Sequence, residues 1–159
     1  YEILPHAGPM IAIAPFSNWF RKDWPIEQYI KLLQHPIFKP YIIVLTGITK
    51  DVYTKGAIDK FIAQVPLPVI NLFDWGHLRH MVPIFERCDI FIGSDSGLMH
   101  LAASTRCKTI GLFGPTDANR YGPWNNTVVQ SSNCSQDFPH VDLSVEQVLQ
   151  SVQDILQFA

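Results

Sequence analysis

Short runs that are apolar at nearly every position alternate along this chain with stretches of helical spacing. Met10-Ile11-Ala12-Ile13-Ala14 ends at Pro15, and Tyr41-Ile42-Ile43-Val44-Leu45-Thr46-Gly47 ends at a glycine. Runs of this kind predict strands buried on both faces of a parallel sheet. Between them Ile26, Tyr29, Ile30 and Leu33 recur at helical intervals, with Pro25 suited to the first turn. The alternation continues with a helix over about Asp51 to Val65, a strand at Pro68 to Leu72, a helix over about His77 to Arg87 and a strand at Asp89 to Ile92. After a helix around His100 come the strand Thr109 to Gly114 and a weaker strand, Thr127-Val128-Val129. In the last helix Ser144 and Gln147 have capping-box spacing, and Val145, Val148, Leu149, Val152, Ile155 and Leu156 make one apolar face. Repeated strand-helix alternation predicts an α/β, doubly wound, mostly parallel Rossmann-like sheet with helices on both faces, spanning residues 1–159 as one domain.

Ligands of such sheets bind outside the carboxyl ends of the strands. The polar residues and glycines collect there: Ser17 to Lys22 follow the first strand, Gly47 to Asp51 the second, Phe73 to His77 the third, Gly93 to Gly97 the fourth and Gly114 to Trp124 the fifth. At Gly93-Ser94-Asp95-Ser96-Gly97 an apolar run turns at once into a helical pattern. The first N–H groups of a helix lack intrahelical partners and sit at the positive end of its dipole, so a turn of small residues can bring an anion close to them. His100, four residues after Ser96, leans back toward the same place.

Each of these residues has a plainer reading. The turn can be a tight connection capped by Asp95 or Ser96, and His100 a core or helix-surface histidine. Lys22 reads either as a solvated loop charge or as a phosphate clamp, with Ser17 and Asn18 as neutral hydrogen-bond donors. Asp51 is either a helix-start acid or a contact to ribose hydroxyls. Thr116 and Asp117 fit a turn after Gly114-Pro115, and the rim aromatics Trp19, Phe20, Trp75 and Trp124 can simply roof a core.

Composition narrows the classes. The 159 residues are 47% hydrophobic, ample for a core, and carry a net charge of −2 with scattered basic residues. That lacks the basic stripe of a nucleic-acid binder. Three cysteines, Cys88, Cys107 and Cys134, have no metal-ligand spacing and fit a reducing cytoplasm better than a disulfide framework. The triplets Asn125-Asn126-Thr127 and Asn133-Cys134-Ser135 are frequent chance occurrences. No apolar run approaches the roughly 20 residues that span a bilayer, and no signal peptide opens the chain. Tyr1 in place of methionine predicts a segment of a longer protein. A Gly-x-Gly-x-x-Gly after the first strand, a Walker loop and an Asp-x-Asp pair are all missing, so neither a dinucleotide cofactor nor a metal-held diphosphate is indicated.

Ser94-Asp95-Ser96-Gly97-Leu98-Met99-His100-Leu101-Ala102-Ala103, followed by Gly111-Leu112-Phe113-Gly114-Pro115-Thr116-Asp117 and Gly122-Pro123-Trp124, resembles the carboxy-terminal domain of the bacterial ADP-heptose:lipopolysaccharide heptosyltransferases. Lys22-Asp23-Trp24-Pro25 is similar to that family's first donor loop. The resemblance implies one half of a two-domain, GT-B type, inverting glycosyltransferase. The carboxy-terminal half takes an ADP-sugar, and an amino-terminal half, absent from this chain, takes the lipopolysaccharide core acceptor and supplies the catalytic base. It further implies that Ser17, Asn18 and Lys22 meet the diphosphate, Asp51 lies near the ribose, and Trp75 and Gly76 frame the adenine. Asp95, Ser96, Gly97 and His100 would hold the diphosphate and donor sugar, with Lys22 and His100 stabilising the leaving group without metal or cofactor. The whole enzyme is then expected in the cytoplasm, peripheral to the inner membrane. An epimerase-like nucleotide-sugar enzyme and a non-catalytic nucleotide-binding module are the alternative classes.

Overall fold

A computed structural model describes residues 4, 8–49, 51–124, 126–131 and 141–157. Its strands β1 (Met10–Ala14), β2 (Ile42–Gly47), β3 (Val69–Phe73), β4 (Ile90–Ser94), β5 (Lys108–Phe113) and β6 (Thr127–Gln130) form one sheet in the order β3-β2-β1-β4-β5-β6. All five pairings are parallel. The helices are α1 (Ile26–Leu32), α2 (Val52–Gln64), α3 (Met81–Glu86), α4 (Gly97–Ala103), α5 (Ala118–Tyr121) and α6 (Val145–Gln157).

Successive side chains of a strand point to opposite faces, and here each face has its own core. Ile11 and Ile13 of β1, Ile43 and Leu45 of β2, Ile90 and Ile92 of β4, and Ile110 and Leu112 of β5 pack with residues of α1, α2 and α6. Met10, Ala12 and Ala14, with Val44, Phe91 and Phe113, pack with α3 and α4 on the other face. Burying each large aliphatic side chain contributes on the order of 1.5–3 kcal/mol, so the apolar runs are what bind the two helical layers to the sheet.

The predicted doubly wound sheet is therefore the observed one, and the differences lie at element ends. Pro25 stands one residue before α1 as its N-cap, with an extended ψ of 139°, instead of inside the first turn. The helix expected over about His77 to Arg87 is a 3-10 turn, Leu78–His80, running into α3. His80 Nδ1 accepts from the His77 N–H at 2.9 Å and closes that turn. Two further 3-10 turns, Phe20–Lys22 and Pro36–Phe38, and the short α5 interrupt segments read from the sequence as loop or helix flank. The capping box of α6 is present: Ser144 N–H donates to Gln147 Oε1 at 2.9 Å, and Gln147 N–H to Ser144 Oγ at 3.1 Å. Asn133-Cys134-Ser135 and Asn125 lie outside the described residues.

Candidate functional site

The chain leaves β1 for β2 on one side and β4 for β5 on the other, so the topological switch point falls between β1 and β4. A crevice opens at the carboxyl ends of such a strand pair. Ser94 Oγ donates to Pro15 O at 3.1 Å and ties the two strand ends together at its floor.

Lys22 comes from the β1 side, at the end of the 3-10 turn Phe20–Lys22. Its loop is braced from within. The Asp23 carboxylate accepts the Ser17 N–H at 2.7 Å, and Ser17 Oγ lies 2.7 Å from both Asp23 Oδ1 and Trp19 O while accepting from the Trp19 N–H at 3.2 Å. The buried Ser17 hydroxyl thus shapes the loop, whereas Asn18 is exposed on its outside. Trp24 anchors the far end: its ring is fully buried, edge-on to Tyr29, and Nε1 donates to Leu143 O at 3.0 Å. Beneath the loop, burial pushes the Tyr29 phenol far above its ordinary value, and nearby Asp23 adds to the rise.

Asp95 comes from the β4 side. Lys22 Nζ stands 3.6 Å from Asp95 Oδ2, with side-chain exposures of 20% and 9%, and Thr116 Oγ1 donates to the same oxygen at 3.0 Å. The carboxylate holds the ammonium at the mouth of the crevice. With Asp95 engaged there, neither plain reading of a side-chain cap for α4 holds: Ser96 is the N-cap, it makes no capping bond, and its buried Oγ has no protein partner. The first turn of α4 thus has no side-chain cap for its amides. Gly97 is exposed, and a Cβ built on it would have nothing within 4 Å. By contrast a Cβ on Gly93 would meet Ala14 O at 2.7 Å, so internal packing requires that glycine. His100 is exposed one turn further on, which removes the core-histidine reading.

Toward β3 the rim continues with Asp51 and the turn after β3. Asp51 caps α2, accepting from Thr54 N–H at 2.8 Å and Thr54 Oγ1 at 2.9 Å, as the plainer reading of it anticipated. Half-buried Trp75 and exposed Gly76, with Gly47, Ile48, Leu72 and Leu98, line an apolar cavity of about 100 Å³. Trp124 is open to solvent, whereas Phe20, although exposed, lines a separate cavity of about 480 Å³ with Asp23, Trp24 and Asp51. The structure therefore gathers Lys22, Asp95, Ser96 and Gly97 at the crevice, sets Asp51, Trp75 and Gly76 on its β3 side, and gives Ser17 to loop bracing. The sequence reads Thr116 as a turn residue only and gives no signal for Asp74, beside Trp75. A polar side chain following Gly-Pro at a strand end was the available signal for the first.

By architecture this is a Rossmann-like domain of the kind that makes up GT-B glycosyltransferases. It superposes on a glycosyltransferase family 9 protein from Veillonella parvula with a TM-score of 0.81 at 21% identity, covering 98% of this chain and 48% of that one. On an E. coli heptosyltransferase solved with ADP the TM-score is 0.78 at 19% identity, covering 96% and 46%. The model of glycosyltransferase family 9 (heptosyltransferase) matches residues 3–148, and the chain belongs to that family. Lipooligosaccharide heptosyltransferase 2 of Campylobacter jejuni is 51% identical over 125 residues, 78% of this chain and 39% of that protein. The chain spans about a third to a half of the length of the curated relatives it matches. Among the described residues no helix is long and apolar enough to cross a membrane, and no cluster of side chains could hold a metal.

Proposed function

We propose that this chain is the donor-binding half of a heptosyltransferase, which takes the sugar of an ADP-heptose for transfer to a lipopolysaccharide core acceptor. The observation that carries the reading is the crevice itself: a lysine held at the switch point beside a helix start whose cap is empty and whose first residue is a glycine with no internal reason to be one. A diphosphate there would accept from the α4 amides and draw Lys22 out of its pair with Asp95. Charge-assisted bonds of this kind are the strong ones, and they act most where charge develops on a leaving group. Asp95, repelled by phosphate, then serves to aim Lys22 and to meet sugar hydroxyls, and Asn18, Ser96 and His100 complete the rim around the donor.

On this reading the adenosine runs toward β3, with the ribose near Asp51 and the base in the cavity walled by Trp75 and Gly76. The acceptor and the base that deprotonates it belong to an amino-terminal half outside this chain. Displacement of ADP from the opposite face of the anomeric carbon inverts that centre, and the working enzyme sits at the cytoplasmic face of the inner membrane, where its acceptor lies. The similar E. coli structure holds ADP, which supports the donor assignment. Titration calorimetry of ADP against the chain and against Lys22→Ala tests it. Loss of Lys22 should weaken binding by about 1.5–3 kcal/mol, the worth of a hydrogen bond between charged partners. Equal affinity of the two proteins would make Lys22 a surface charge.

A further inference from the structure

Asp74 is the one non-glycine among the described residues with a positive φ, 62°. Aspartate tolerates this left-handed conformation better than most side chains, yet it persists only where the surroundings enforce it. Two residues on, Gly76 also has a positive φ, 64°. What enforces the turn is the loop that follows β2. The Asp74 N–H donates to Gly47 O at 3.0 Å, and Asp74 Oδ1 accepts from the Thr49 N–H at 2.7 Å. Backbone and side chain of one residue thus grip the neighbouring loop on either side of Ile48.

Gly47 and Ile48, from the end of β2 and the loop after it, and Trp75 and Gly76, from the turn after β3, together line the apolar cavity at this rim. Ile48 is 70% exposed, so little packing of its own holds it in place. Gly47 itself is fixed at the end of the β2–β3 ladder, in register with Phe73. Beyond that ladder, the placement of the Ile48 loop against the turn after β3 is set by the Asp74 contacts. Hydrogen bonds from the side chain and backbone of Thr49 also hold the Asp74 carboxyl below its ordinary 3.8, so the latch is charged throughout the neutral range.

We propose that Asp74 is a positioning residue that sets the width of this slot, and so governs how tightly the base of the donor nucleotide is held, while leaving the diphosphate contacts alone. The proposal rests on the reading of the cavity as the adenine site. It assigns Asp74 no contact with the nucleotide.

Calorimetry with ADP and with inorganic pyrophosphate, on the unaltered chain and on Asp74→Asn and Asp74→Gly, tests it. Asparagine keeps an oxygen for the Thr49 N–H and tolerates φ of 62°, so ADP affinity should stay within about twofold. Glycine adopts the same φ but loses the acceptor, so ADP affinity should fall about five- to tenfold, with pyrophosphate affinity unchanged in both variants. Melting curves confirm that this exposed position leaves the fold intact. Equal weakening of ADP and pyrophosphate in the glycine variant, no weakening of either, or asparagine behaving like glycine would each overturn the proposal. Failure of the underlying reading looks different: the unaltered chain itself would then bind ADP no better than pyrophosphate.

Discussion

Replacing Gly97 by alanine separates the needs of a ligand from the needs of the fold. A Cβ at this position meets nothing within 4 Å in the protein, and its φ is not in the left-handed region. Alanine is preferred over glycine by up to about 1 kcal/mol inside a helix, and a first-turn position should realise about half of that. At 159 residues a gain of this size raises the melting temperature by about 1–2 °C. Binding should move the other way. The added methyl occupies space that a phosphate must enter to reach the α4 amides, and losing one charge-assisted bond costs about 1.5–3 kcal/mol, or roughly ten- to 150-fold in affinity for ADP. Gly93→Ala is the control, since its Cβ would stand 2.7 Å from Ala14 O and 2.9 Å from the Phe91 ring. Overpacking of that kind destabilises by about 1–3 kcal/mol. Differential scanning fluorimetry and calorimetry on the two variants give all four quantities. A Gly97→Ala chain that melts higher and binds ADP undiminished would refute the helix start as the anion site.

The remaining expectations concern charge and burial. Lys22→Ala should also lower stability by about 1 kcal/mol, between the values for exposed and buried pairs, because Asp95 loses its cation; Asp95→Asn in the same background should recover most of that in a melting experiment. His100→Ala should leave stability within about 0.5 kcal/mol, as for an exposed side chain, while lowering ADP affinity; unchanged ADP affinity would leave His100 a helix-surface residue with no part in the site. Burial pushes the Cys88 thiol from 9.0 up to about 12 and raises Cys107 and Tyr29 as well. Because these pKa values are higher in the folded than in the unfolded chain, the stability they carry is complete below pH 9 and is lost as pH climbs toward 12. Melting temperatures should accordingly be flat from neutrality to pH 9 and fall above it, and a fall beginning near pH 7 would contradict the burial of these groups.

The strands were legible because every position of Met10–Ala14 or Ile43 to Leu45 is apolar, and a two-faced sheet asks for nothing else. Helix starts were legible where the cap is local, as with Ser144 and Gln147 or Asp51 and Thr54. Partner choice across the fold was not. Spacing offers Ser17 as a donor to a ligand and does not reveal that its hydroxyl also turns onto Asp23, in a loop whose next residue, Trp24, bonds Leu143, 119 residues away. The pairing of Lys22 with Asp95 and Thr116 exists because the sheet order sets β1 beside β4 and β4 beside β5, which spacing along the chain does not encode. Asp74 was invisible for a related reason: an aspartate before Trp-Gly is common turn chemistry, and only the neighbouring loop makes it a latch.

An amide-resolved NMR titration of the chain with ADP, in EDTA, asks most directly whether a nucleotide diphosphate binds at the switch point. Binding should saturate without metal and shift the amides of Gly97, Leu98 and Lys22 most strongly, with a second group at Ile48, Trp75 and Gly76. Shifts centred instead on the groove between Pro115 and Gln130, or binding that appears only when magnesium is supplied, would contradict the placement of the donor in the crevice between β1 and β4.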